Sequence, residues 1–142
     1  LDILVLNAGV FPPSTRIADL RSDAWREVMA VNVDAAASLL SAAHPLLALA
    51  PAPNRGRVVV IGSKNAPAPG PGVGAYSASK AALTQLARVA ALEWGADGIR
   101  VNVIHPNAVF DTANIVMNGT VNGDMHARDR LVLGGSAIQR SS

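Results

Sequence analysis

No cysteine occurs among the 142 residues. Its absence removes disulfides, thiolate nucleophiles and soft metal sites, and it agrees with the cytoplasmic location we expect. Charge is also scarce, at 15% of residues, against about 25% in a typical soluble domain. The excess of Ala, Val and Leu predicts faces that a partner subunit or further chain covers. Twelve Lys and Arg give a formal net charge of only +2. They are scattered, without the basic run or interleaved aromatics that a nucleic-acid groove needs, so no nucleic-acid partner is expected. No apolar run approaches the roughly 20 residues of a membrane span, and no membrane partner is expected. Histidines and carboxylates nowhere cluster with metal-ligand spacing, so no metal is expected; His44 and His126 stand far apart.

What is present reads as alternating strands and helices. Residue 1 enters directly into the apolar run LDILVL (1–6). Such a run predicts a strand in the middle of a parallel sheet with both faces covered, and hence further sequence upstream. Asn7-Ala8-Gly9 stops it, and Val10 to Thr15, with Pro12-Pro13, is loop. Ile17 to Leu20 could form one helical turn. Ser22 reads as an N-cap for a helix over 23–50, with Asp23 in its first turn. Trp25, Val28 or Met29, Val33, Ala36, Leu40, Ala43 and Leu47 fall at three- and four-residue steps and define its inner face; Pro45 could kink the helix or end it early, and otherwise the helix fades around Ala50. After a turn at Asn54-Arg55-Gly56, RVVVI (57–61) reads as a central parallel strand. A stiff Pro- and Gly-rich loop, 62–74, leads to a helix over 75–94 whose inner stripe is Leu83, Leu86, Ala87, Ala90 and Trp94. IRVNVI (99–104) is a third strand. Beyond Pro106 the signal weakens: a loop to Thr112, a helix start at Ala113 to Met117, helical turns at Asp124 to Arg130, a short strand at Leu131 to Leu133, and a frayed tail from Ser136. The order is that of an α/β parallel sheet in one domain, 1–142, without internal repeats.

The chemistry concentrates between Ile61 and Leu92. Tyr76 and Lys80 lie four apart, so on a helix both side chains leave one face. Ser63 stands at the carboxyl end of a parallel strand, where ligands collect in open sheets. A phenol titrates near 10 when free, and a neighbouring ammonium favours its phenolate. Phenol, ammonium and hydroxyl together suit proton transfer coupled to hydride transfer between an alcohol and a nicotinamide. Against this stands the ordinary reading that Tyr and Lys four apart recur by chance, one packed and one solvated. Asn7-Ala8-Gly9 permits close ligand approach or is a plain turn. Asn32, an amide inside a helix, bends it, holds water, relays a proton, or is simply hydrogen-bonded. His105 reads as structural, and Lys64 is either a solvated charge or a contact for an anionic substrate.

In order along the chain, these motifs resemble the short-chain dehydrogenase/reductase family. Asn7-Ala8-Gly9 resembles its N-A-G after a strand, and Asn32, Ser63, Tyr76 and Lys80 match its catalytic Asn, Ser, Tyr and Lys with the family's spacing. Pro106 through Thr112 resembles the segment contacting the nicotinamide ribose and carboxamide, with Asn107 where glycine is usual; Val109 and Thr112 fall within it. The resemblance covers residues 1–112. It implies a Rossmann-like doubly wound sheet, NAD or NADP as cofactor, and a small alcohol or carbonyl substrate. It makes Tyr76 the general acid/base, with Lys80 lowering its pKa and binding ribose hydroxyls. Ser63 then polarises the carbonyl, and Asn32 anchors a water in the proton relay. It also implies homo-oligomers packed through helices 23–50 and 75–94. More narrowly, IGSKNAPAPGPG and HPNAVFDT resemble the dehydrogenase domain of bifunctional rhamnulose-phosphate aldolase/short-chain dehydrogenase proteins, which implies sugar or lactaldehyde oxidation. The glycine-rich strand-turn-helix that holds a pyrophosphate is absent from residues 1–142, as is the residue that selects NAD or NADP. The sheet therefore reads as lacking its N-terminal cofactor-binding half, and the chain alone is expected to show little activity. A non-enzymatic member that keeps the fold without binding cofactor is the alternative.

Overall fold

The computed structural model describes residues 1–52, 55–107, 131–133 and 136–138. The chain divides into two compact units, Leu1–His105 and Pro106–Ser142. The first holds a parallel three-stranded sheet in the order β1 (Ile3–Leu6), β2 (Arg57–Ile61), β3 (Arg100–Ile104). Its registers run Ile3 to Arg57 and Arg57 to Arg100. The described part of the second unit is an antiparallel pair, β4 (Leu131–Leu133) and β5 (Ser136–Ile138).

Two crossover segments build the helical layer. The first crossover carries a 3-10 turn, Ile17–Asp19, then α1 (Ser22–Met29), a π turn (Ala30–Asp34) and α2 (Ala35–Ala48). The second carries α3 (Gly74–Trp94) and a 3-10 turn, Gly95–Asp97. The core forms where Ala36, Leu40, Ala43 and Leu47 of α2 and Leu83 and Ala87 of α3 pack on Leu6, Val58 and Val60. Leu4, Val101 and Val103 join the same cluster. Alternation along the strands turns the other residues to the opposite face, where Ile3 and Val5 are 57% and 55% exposed.

The π turn has a geometric purpose. Val28, Asn32, Ala36 and Leu40 are all buried at four-residue steps, and in a plain α-helix each such step over-rotates by about 40°. The wider turn absorbs that drift and keeps all four on the core side. Pro45 lies inside α2 without ending it, because it and Ser41, whose carbonyl it leaves unbonded, both face solvent.

Several expectations are corrected. β1 is an edge strand of the described sheet rather than a central one, with one face bare. Arg21, not Ser22, occupies the N-cap of α1, without a side-chain cap bond. The Asp23 carboxylate instead accepts the Ala24 amide at 2.9 Å and pairs with Arg21, whose hydrogen bond first of all holds it down to about 2. Trp25 is 37% exposed rather than inward. Ser136–Ile138, expected as tail, is a strand paired with β4. Asn54, and the expected helix start and turns over 113–117 and 124–130, lie outside the described residues.

Gly56 enters β2 beneath the end of α2. A Cβ there would sit 2.6 Å from Leu47 Cβ and 2.8 Å from the Leu47 carbonyl oxygen, and Leu47 is fully buried. Gly56→Ala should therefore cost about 1–3 kcal/mol of stability, read from urea unfolding. A midpoint unchanged from wild type would contradict this packing.

Candidate active site

Within the first unit, the segments that follow β1 and β2 lie at the carboxyl ends of the strands, and each carries part of the expected site. The segment after β1 contains Asn7, Ala8 and Gly9, all exposed. The Val10 amide donates to Asn32 Oδ1 at 2.8 Å, and Asn32 Nδ2 donates back to the Val10 carbonyl at 3.1 Å. The second Nδ2 proton goes to Ser79 Oγ at 2.9 Å. Asn32 is 1% exposed, and both protons of its amide are donated within the protein. A Cβ on Gly9 would lie 3.3 Å from Asn32 Oδ1 and 3.4 Å from Lys80 Nζ. A side chain at this position would crowd Asn32 Oδ1 by a few tenths of an ångström and stand in contact with Lys80 Nζ.

Tyr76 and Lys80 leave one side of α3, with Lys80 Nζ 5.8 Å from the Tyr76 ring centroid. Lys80 is 4% exposed, and its ammonium donates to the Ile61 carbonyl at the end of β2, at 2.9 Å. Burial pushes its pKa below the usual lysine value. Phe11 meets Tyr76 edge to face with centroids 4.7 Å apart. The loop bearing Phe11 is fastened by the Thr15 amide, which donates to the Gly72 carbonyl at 2.8 Å.

Ser63 is buried directly beyond β2. Its Oγ accepts the Asn65 amide at 3.2 Å rather than bonding Tyr76. Its backbone meets His105 Nδ1, which either accepts the Ser63 amide at 3.2 Å or donates to the Ser63 carbonyl at 2.9 Å, according to the tautomer. His105 thus fastens the end of β3 to the Ser63 backbone, and Lys64 is exposed. Pro106 and Asn107 follow β3 in the second unit; Val109 and Thr112 lie outside the described residues. Among the described residues no group of His, Asp and Glu could hold a metal ion, and no helix is long and apolar enough to cross a membrane. A cavity of about 110 Å3 bounded by Pro12, Thr15, Leu20, Val73 and Ala75 excludes Ser63, Tyr76 and Lys80 from its walls.

Sequence reasoning missed Ser79. It is fully buried, accepts from Asn32, and donates to the Tyr76 carbonyl at 2.7 Å. The only hint was its place between Tyr76 and Lys80 on the helix.

A sequence model of the short chain dehydrogenase family matches residues 1–122. The chain belongs to the short-chain dehydrogenase family. It is 42% identical over 109 residues to an uncharacterized NAD-dependent oxidoreductase of Mycobacterium tuberculosis, covering 77% of this chain and 38% of that protein. To the cis-4-hydroxycyclohexanecarboxylate dehydrogenase of Sinomonas cyclohexanicum it is 35% identical over 106 residues, covering 75% and 41%. The crystal structure of an NAD+-bound xylitol dehydrogenase superposes with a TM-score of 0.69 at 33% identity, covering 75% of this chain and 40% of that one. The chain therefore spans about two-fifths of the length of these relatives, and it carries the α/β, Rossmann-like parallel sheet of the family.

The buried ammonium makes stability depend on alkaline pH. Between the lowered Lys80 value and the free-lysine value of about 10.4, the unfolded chain binds more protons than the folded one, so stability rises with pH. Lys80→Met removes this term. The unfolding midpoint of wild type relative to Lys80→Met should climb as pH rises towards the free-lysine value. A flat difference would place the ammonium in solvent, and a falling one would mean that the fold favours its charged form.

Proposed function

We propose that the protein interconverts a small alcohol and its carbonyl using NAD or NADP, with Tyr76 as general acid/base. The observation that carries this reading is the convergence of Gly9, Asn32, Tyr76 and Lys80 at the carboxyl end of a parallel sheet. The donor set fits a nicotinamide ribose. The Lys80 ammonium gives one proton to the Ile61 carbonyl, which leaves two for vicinal hydroxyls, and Gly9 leaves the approach free of a side chain. Bound there, the nicotinamide supplies the hydride acceptor for alcohol oxidation.

The remaining steps belong to this chain's own residues. In oxidation the Tyr76 phenolate oxygen takes the hydroxyl proton of the substrate; in reduction the phenol returns it to the carbonyl oxygen. Lys80, close to the ring and drawn out of water, favours the anionic phenol during that transfer. The Ser63 hydroxyl donates to the substrate oxygen and polarises it. Asn32 acts by holding the Val10 loop and α3 in place, and the family's relay water belongs beside it. The Pro106, Asn107, Val109 and Thr112 segment completes the nicotinamide contacts in this reading.

The named relatives support a polyol or cyclic alcohol as substrate class. The likeness to bifunctional rhamnulose-phosphate aldolase/dehydrogenase proteins adds sugar-derived aldehydes and lactaldehyde. We further propose a homo-oligomer. Leu39, Leu46 and Leu49 on and just beyond α2 are 51%, 52% and 80% exposed, and Leu92 on α3 is 84% exposed, an apolar surface that a second copy would cover. Light scattering on the protein with its native flanking sequence should give a dimer or larger, shifted towards monomer by Leu92→Glu. A wild-type monomer would dismiss this interface.

The chemistry is tested on the same full protein with NAD or NADP and a panel of xylitol, cis-4-hydroxycyclohexanecarboxylate and propane-1,2-diol, following the absorbance of the reduced cofactor. Tyr76→Phe should lower kcat by about 10²–10⁴-fold, with Ser63→Ala also impaired. Full turnover by Tyr76→Phe would remove Tyr76 from the chemistry. A wild-type protein that neither binds cofactor nor turns over any alcohol would favour the non-enzymatic alternative.

A further inference from the structure

The run Tyr76-Ser77-Ala78-Ser79-Lys80 contains two serines that look interchangeable and are not. Both are buried, at 8% and 0% exposure. Ser77 Oγ has no hydrogen-bond partner among the described residues. Ser79 Oγ has two, on opposite sides: it accepts Asn32 Nδ2 at 2.9 Å and donates to the Tyr76 carbonyl at 2.7 Å.

The second bond is the informative one. The Tyr76 carbonyl lies three residues back on the same helix. A hydroxyl that back-bonds within its own helix bends the helix locally and brings little stability. Thr84 repeats the device one turn later, donating to the Lys80 carbonyl at 2.6 Å. The backbone carbonyls of both proton-transfer residues therefore carry an extra hydroxyl. Through Asn32, the first of these turns is also fastened to both backbone groups of Val10. A buried hydroxyl at this point links the loop after β1, the π turn and α3.

We propose that Ser79 is a positioning residue for the proton-transfer pair: its hydroxyl shapes the turn between Tyr76 and Lys80 and pins it to Asn32. This rests on the reading of Tyr76 and Lys80 given above. Ser79 touches neither substrate nor cofactor. It acts by setting the direction in which the phenol and the ammonium leave α3.

Two measurements test it on the protein with its native flanking sequence. The first uses apo protein and urea unfolding. Asn32→Ala and Ser79→Ala should each lower the midpoint, and the double variant should lie no lower than the worse single one, because both delete the same network. Ser77→Ala, which breaks no bond, should unfold at the wild-type midpoint. Additive losses, or a Ser77→Ala loss equal to that of Ser79→Ala, would overturn the network.

The second is kinetic, with NAD and whichever panel alcohol wild type turns over fastest. Ser79→Ala should lower kcat by about 10²-fold, the scale of a misplacement near 1 Å, with KM for the alcohol little changed. Ser79→Thr, which restores the hydroxyl, should recover most of the rate, and Ser77→Ala should match wild type. If Ser79→Ala does not fold, Ser79→Cys takes its place, since it keeps the volume and only a weak donor; Cys equal to Thr would overturn the proposal. Folded Ser79→Ala with unchanged kcat, beside an inactive Tyr76→Phe, overturns the proposal alone. An active Tyr76→Phe overturns the proposed function and this proposal together, while the unfolding measurements still judge the network by themselves.

Discussion

The side-chain amide of Asn32 is the joint on which the site depends. It is buried, and its polar atoms are paired with groups from two other segments: the Val10 backbone and the Ser79 hydroxyl. A buried amide without partners would cost stability outright. Each of these segments is therefore held where the amide can reach it. The π turn follows from the same requirement, because it brings Asn32 onto the face that Val28, Ala36 and Leu40 bury. A polar network of this kind adds little net stability but strongly selects one arrangement of loops.

That arrangement decides where chemistry can occur. The Lys80 ammonium is held out of water, one proton given to the Ile61 carbonyl, with the Tyr76 ring within 6 Å and the Gly9 backbone above. The same end of the sheet receives Ser63, fixed by Asn65 and His105. Gly9, Ser63 and His105 follow the ends of β1, β2 and β3, where ligands collect in open parallel sheets, while Tyr76 and Lys80 come from α3. On the opposite face of the sheet Ile3 and Val5 stand open, and the relatives extend well beyond the stretch matched here. The covered face thus lies on the side from which α3 presents Tyr76 and Lys80.

Much of this was legible in residue order. Arg57–Ile61 announced itself as a strand through unbroken β-branched residues. The helix over 75–94 did so through its stripe of Leu83, Ala87 and Ala90, and the Tyr76–Lys80 pair through its spacing of four. Other features were not legible. An apolar run such as LDILVL signals that a strand prefers burial, but it does not say how many neighbours cover it. Ser136–Ile138 is too short to carry a period, and only its pairing with Leu131–Leu133 defines it. Ser22 has the right chemistry for a cap, yet Asp23 beside Arg21 engages the first turn instead.

The sequence by itself determined the succession of strands and helices, the family, and which side of α3 bears a phenol and an amine. These depend on periods of two and of about 3.6 residues, which are properties of neighbouring positions along the chain. Only the tertiary structure decided that Ser79 and not Ser77 is bonded among the described residues, and that Asn32 is a joint rather than a free amide. Those outcomes depend on which distant segments meet. Two serines on one helix differ in nothing but the direction they face, and that direction acquires meaning only when Asn32, 47 residues away, is packed against one of them.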